Sequence, residues 1–399
     1  MEKYDYIIVG GGLAGASAAQ GIREIDSAGS ILLVGQEKDP PYNRPPLSKD
    51  LWLGKKQVEE IFVHEKSFYS DNEVNLNLGT TITEVNPEDR IIRDGQGGAY
   101  AYGKLLLSTG GTPKKLDIPG GESEEINYYR SLGDFRRLRV REVEGDIISV
   151  IGGGFIGAEM AAALSSNGAD VSMVFPEKYL LSRHFPEELG RAVQKKYQDK
   201  GVGILTQNVP QRFEQAEEGF EVETRERCCL QVDKIVAGIG ITPSTKLAES
   251  ADLNVSNGIE VNEYLQTSDP HIYAAGDNTL FPYQALGEKR RVEHWDNAKK
   301  QGRYAGRNMA GSEEQYNYLP YFYSDLFDFG FEAVGDVNPE LEVIADWSEK
   351  HEKGVLYYLN EGNVRGVMLC GVWGKLGQAR ELIESKDRFK EEDLRGTIC

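Results

Sequence analysis

Residues 4–19 read Tyr-Asp-Tyr-Ile-Ile-Val-Gly-Gly-Gly-Leu-Ala-Gly-Ala-Ser-Ala-Ala. An apolar run breaks into glycines and continues as an alanine-rich segment, the pattern of a buried strand, a tight turn and a helix. Gly10, Gly12 and Gly15 stand in the GxGxxG register, which suits a pyrophosphate cradle: glycines let the backbone approach, and the helix N-terminus presents free N–H groups to phosphate. A second strand is expected over Ser30–Gly35, followed by Glu37, where an acidic side chain normally accepts from a ribose hydroxyl. A glycine turn without a ligand is the plainer reading. Strand, helix and acidic residue in this order favour the dinucleotide one.

The unit recurs. Asp146–Ile151 reads as a strand, Gly152, Gly154 and Gly157 repeat the register, an alanine-rich helix follows, and Asp170–Phe175 is the next strand. Two cradles suggest two dinucleotides: an acceptor flavin, FAD, on the first and a nicotinamide donor on the second, with substrate at the second site as the alternative. Glu177 lies about 20 residues past Gly157, where a carboxylate accepts from a ribose 2′-hydroxyl and repels a 2′-phosphate. NADH is therefore the expected donor, with NADPH admitted by the nearby Lys178 and Arg183.

Between and beyond these units lie alternating strands around 74–94 and apolar strands at Lys104–Gly111, Ile235–Pro243 and His271–Asp277, each closed by glycine. An aromatic-rich last section has strands at Gly354–Leu359 and Val364–Leu369, then a helix and a charged tail. The expected fold class is α/β. Two Rossmann-like domains, the nicotinamide one (119–246) inserted into the flavin one (1–118 and 247–318), precede a C-terminal α+β domain (319–399).

The chain has 399 residues, 40% of them hydrophobic, enough for several cores. With 64 acidic against 45 basic residues its formal charge is −19, which disfavours nucleic acid as a partner. No apolar stretch approaches the roughly 20 residues of a membrane span, and the first residues run directly into a strand, so cytoplasm is the expected address. The five histidines lack metal spacing and no metal site is expected. Cys228, Cys229, Cys370 and Cys399 stand in no zinc or redox-dithiol spacing.

The strings PYNRPPLSK (41–49), STGG (108–111), GGGFIGAE (152–159), GIGITP (238–243), AAGD (274–277) and RVEHWDNA (291–298) together resemble the two-dinucleotide flavoprotein reductases. These belong to the pyridine nucleotide-disulfide oxidoreductase superfamily and have a glutathione-reductase-like fold. The near branch is that of oxygenase-type ferredoxin reductases, apoptosis-inducing factor and monodehydroascorbate reductase. Phe175-Pro-Glu-Lys and Lys353–Leu359 are similar to apoptosis-inducing factor, Leu319–Ser324 to monodehydroascorbate reductase, and Trp295-Asp-Asn-Ala to the ferredoxin reductases.

The resemblance implies that Gly10, Gly12, Gly15 and Glu37 hold the AMP half of FAD, and that Arg44, Lys49, Arg130 and Asp277 contact the rest. It also implies that the motif residues Thr109, Gly110 and Gly240 line the cofactors. It implies that Lys49 and Glu159 meet beside flavin N5, with Glu159 expected in the first turn of its helix, where the dipole favours an anion. Phe155 would shield the flavin until nicotinamide arrives; core packing is its rival reading. Glu293, His294 and Trp295 are expected at the isoalloxazine edge, with His294 as an orienting group or a proton donor.

The segment at 40–50 contains no cysteine. Electrons are therefore expected to leave directly from the flavin, to a ferredoxin or rubredoxin, or to a small acceptor such as a quinone, a radical or oxygen. Arg136, Arg137, Arg139 and Arg141, or Lys289, Arg290 and Arg291, are candidate basic faces for an acidic redox protein. A sensor like apoptosis-inducing factor, acting through dimerisation or partner binding once NADH has bound, is the alternative, and a homodimer is compatible with either.

Overall fold

The computed structural model describes residues 1–399 except Arg141, Arg227, Cys228 and Cys399. The expectations made for Arg141, Cys228 and Cys399 thus lie outside the described residues. The chain divides into two compact units, one comprising 1–43, 58–112 and 242–320, the other 44–57, 113–241 and 321–399.

The first unit is built on the opening motif. Glu2–Val9 is the central strand, flanked in parallel by Ile31–Gly35 and Ala99–Leu107. Val74–Leu78 and Ile272–Ala274 extend the parallel part, and Ile82–Asn86 and Ile91–Asp94 add an antiparallel arm. Strands buried on both faces must be apolar throughout, which is why Ile7, Ile8, Leu33 and Leu105–Leu107 interrupt no alternation and are fully enclosed. Each such side chain contributes about 1.5–3 kcal/mol by leaving water. Helix Leu13–Arg23 crosses helix Trp295–Met309 at close range: a Cβ on Gly302 or Gly306 would strike the carbonyl of Ala14 or Ala18. The crossing anchors the second helix, whose N-cap is His294.

In the second unit Ile147–Ile151, Asp170–Val174, Gly203–Leu205, Lys234–Ala237 and Asn127–Tyr128 make a five-stranded parallel sheet. A small antiparallel sheet, Pro210–Gln215, Phe220–Thr224 and Cys229–Val232, joins its core through Phe213, Phe220 and Val222. The same unit holds the last sheet, five antiparallel strands in the order Tyr321–Leu326, Phe329–Gly335, Asn363–Cys370, Lys353–Asn360 and Glu342–Glu349. Helix Leu376–Ser385 follows. The mixed α/β class expected from sequence is the one observed.

Candidate functional site

Both glycine turns have the geometry that phosphate binding demands. Gly10 has φ +130°, and a Cβ there would collide with the Ser108 carbonyl; one on Gly15 would collide with the Gly10 carbonyl. Gly152 has φ +117° with Gly238 in the same place, and Gly157 faces the Gly152 carbonyl. Over Gly12 and Gly154, in contrast, a Cβ would meet nothing within 4 Å. Each turn is thus closed towards the protein and open at the helix N-terminus, so the residues present fit a bound pyrophosphate.

The second turn feeds helix Phe155–Ser166, and Glu159 is its fifth residue. Glu159 therefore lies past the first turn, a correction to the expectation above: the helix dipole has faded there, and side chains hold the carboxylate instead. Lys49 Nζ reaches Oε1 at 2.6 Å, Ser324 Oγ donates to Oε1 at 2.6 Å, and Ser48 Oγ donates to Oε2 at 2.5 Å. Glu159 is 5% exposed and Lys49 11%. A buried charge pair is tolerable only when its remaining hydrogen-bonding capacity is met, and the two hydroxyls meet it here. Lys49 Nζ also lies 5.4 Å from the Tyr323 ring centroid. Beside it the Asp325 carboxyl is raised by desolvation and by Glu159, against the opposing pull of Lys49.

Residues 4–302 match the sequence pattern of the family described as "Pyridine nucleotide-disulphide oxidoreductase". The chain belongs to that family. It is accordingly an oxidoreductase using FAD and a pyridine nucleotide. It is 34% identical over 335 residues to the anthranilate 1,2-dioxygenase system ferredoxin–NAD(+) reductase component of Burkholderia cepacia, covering 84% of this chain and 82% of that one. It is 32% identical over 421 residues to apoptosis-inducing factor 1, mitochondrial, of Dictyostelium discoideum, covering 96% and 79%. Among solved structures it is similar to the covalent putidaredoxin reductase–putidaredoxin complex, with TM-score 0.91, 29% identity and coverage of 98% and 95%.

In this oxidoreductase the remaining residues singled out from sequence fall into two groups. In the first unit Tyr42 donates to Glu37 Oε2 at 2.6 Å, fixing the carboxylate expected on the ribose. Thr109 donates to the Ser244 carbonyl at 2.7 Å and accepts from Asn278, and the Gly110 carbonyl accepts from Ser244 N. Arg291 donates to the Asp277 carbonyl and to Glu293 Oε1. Gln301 accepts from Gly276 N at 2.9 Å, holding the turn in which Asp277 sits. His294 caps its helix by backbone only, and Trp295 Nε1 donates to Asn43 Oδ1 at 2.7 Å.

In the second unit Arg44 donates to the Arg130 carbonyl at 2.6 Å, and Gly240, at φ +95°, accepts from Lys114 N. Arg183 reaches Glu177 at 3.4 Å. Phe155 leans on His184, Phe322 and Phe331 at centroid distances of 4.7, 5.4 and 5.8 Å. Burial lowers the His184 imidazole from 6.5 to about 4, with Arg183 adding to the effect and Asp336 opposing it.

The candidate basic runs are drawn into local contacts. Lys289, Arg290 and Arg291 pair with Glu260, Glu288 and Glu293, Arg137 pairs with Asp134, and Arg139 lies over the Trp52 ring. Cys370 is buried and Cys229 exposed. Among the described residues no group of His, Cys, Asp and Glu has the makings of a metal site, and no helix is long and apolar enough to cross a membrane.

Sequence reading missed Ser48, Ser324, Tyr42 and His184. Ser48 stood in plain view beside Lys49, but the contact of Ser324 with Glu159 joins residues 165 apart and left no periodic signal.

Proposed function

We propose that this chain carries two electrons from NADH to FAD and delivers them singly to a ferredoxin- or rubredoxin-type protein. Overall, one NADH and two oxidised acceptors become NAD⁺, one proton and two reduced acceptors. The observation that carries this reading is the buried Lys49–Glu159 pair at the end of a Pro-rich segment that has no cysteine. FAD, when bound, supplies the conversion from a hydride to single electrons. The chain's own residues bind, orient and charge-balance. Gly10, Gly12, Gly15 and Glu37 hold the adenylate end of FAD. Arg44, Arg130, Thr109, Gly110 and Asp277 hold its remainder, with Glu293, His294 and Trp295 at the ring edge. Gly152, Gly154, Gly157, Glu177 and Gly240 hold the nicotinamide nucleotide, and Phe155 occupies its approach.

Lys49 provides the positive charge that favours an electron-rich ring, and Glu159 holds the Lys49 ammonium in place. The reading keeps the three-domain division expected from sequence, at 118/119, 246/247 and 318/319, and a cytoplasmic location. The similarity to the putidaredoxin reductase–putidaredoxin complex supports a small redox protein as acceptor. The 32% identity to the Dictyostelium apoptosis-inducing factor across 96% of the chain favours, as a second reading, a sensor whose NADH-bound state changes its partners.

The test is direct. Purified protein should carry one non-covalent FAD per chain, lose its yellow colour on adding NADH, and turn over rapidly with one acceptor among ferredoxin, rubredoxin, quinone, monodehydroascorbate and ferricyanide. Failure to bind FAD overturns the reading. Slow reoxidation with every acceptor transfers it to the sensor.

A further inference from the structure

We infer that Ser324 is a positioning residue for the Lys49–Glu159 pair, so that the C-terminal sheet sets the charge arrangement from which the flavin is reduced. The inference rests on the proposed reading of Lys49 and Glu159 as the flavin-side pair.

Ser324 is fully buried on strand Tyr321–Leu326, and its hydroxyl reaches Glu159 Oε1, the same oxygen that Lys49 Nζ approaches. Side chains alternate along a strand, so Phe322 and Ser324 share a face about 6.8 Å apart. On the facing helix Phe155 and Glu159 are four residues and about 6.0 Å apart. The two spacings match: Phe322 meets the Phe155 ring at 5.4 Å while Ser324 meets the carboxylate at 2.6 Å. The strand therefore docks on the helix by one apolar contact and one polar one. Ser48 closes the opposite oxygen from the Pro-rich segment.

With one hydroxyl on each oxygen the carboxylate cannot rotate, and the Lys49 ammonium has one direction in which to lie. Without Ser324, Oε1 has only Lys49 to satisfy it. The carboxylate then draws the ammonium more fully onto itself, and less of its positive field remains for the flavin.

Ser324→Ala should slow flavin reduction by NADH about five- to tenfold, less than the full worth of a hydrogen bond to a charged group because the serine acts on the flavin only through Lys49. It should also make the flavin midpoint potential more negative, with FAD content unchanged. Ser324→Thr, which keeps the hydroxyl, should restore both. In a Glu159→Gln background Ser324→Ala should alter neither readout further. Ser48→Ala, acting on the other oxygen, provides the same measurements if Ser324→Ala fails to fold. A lower melting temperature with unchanged potential would mean that the serine only packs, and equal effects in both backgrounds would mean that it acts elsewhere; either overturns the inference. If Glu159→Gln alone leaves rate and potential at wild-type values, the reading of the pair fails instead.

Discussion

Arg183 reaches the Glu177 carboxylate at 3.4 Å while remaining 81% exposed. The pair is loose and open to solvent. If Glu177 takes the proposed place at the nicotinamide nucleotide, it should accept from a ribose hydroxyl, and Arg183 should soften its repulsion of a 2′-phosphate. NADH should surpass NADPH in kcat/KM. Arg183→Ala should widen that preference, and Glu177→Ala should narrow it by about tenfold or more, equivalent to roughly 1.4 kcal/mol of discrimination. Steady-state kinetics with both nucleotides decides. A preference unchanged by Glu177→Ala removes this residue from the nucleotide site.

Lys49→Met strands a buried carboxylate. Loss of one partner from such a pair typically costs about 3–5 kcal/mol, so the variant should unfold at lower denaturant as well as slow hydride transfer. Glu159→Gln should slow it less. The double variant should lose less than the sum of the singles, because neighbours that share an interaction are not additive. Stopped-flow reduction of all four proteins is the measurement; strict additivity would separate the two residues.

His184 gives a pH signature. Its imidazole takes a proton near 6.5 in the unfolded chain but only near pH 4 when folded. Because the unfolded state binds the proton first, this stability is complete above pH 6.5 and is lost as the pH falls towards 4. The total is at most about 3 kcal/mol. His184→Leu should flatten the slope of stability between pH 6.5 and 4, read by urea titration. Parallel slopes would show that the ring takes its proton at the same pH folded and unfolded.

Cys370 lies fully buried in strand Asn363–Cys370 and its thiol is pushed up by burial. Exchanging Cys229 and Cys370 for serine should leave ferricyanide reduction intact, since neither stands in the Pro-rich segment. Cys370→Ser should lower stability by about 1–3 kcal/mol through a buried hydroxyl. Loss of activity with FAD retained would reveal a thiol relay.

The opening strand and both glycine turns were legible because local patterns carried them, whereas the Lys49–Glu159 pairing came only from the family resemblance. Gly10 and Gly152 announce their backbone angles by their identity. Glu159 lies just past the first turn rather than within it, since helix starts are set by cap geometry that sequence specifies only loosely. Ser324 was invisible for a different reason: a serine within an aromatic strand has no pattern of its own, and its meaning comes from a helix folded against it.

The distance along the chain between Glu159 and Ser324 has a consequence during synthesis. A ribosome adding about 5–20 residues per second makes Ser324 roughly 10–30 s after Glu159. Throughout that interval the helix bearing Phe155 and Glu159 waits without the strand that covers it, its aromatic face wet and its carboxylate one donor short. Nascent chains should therefore be most vulnerable to chaperone capture and proteolysis in this window. The surroundings of Glu159 are therefore completed only once the first strand of the last sheet has been made.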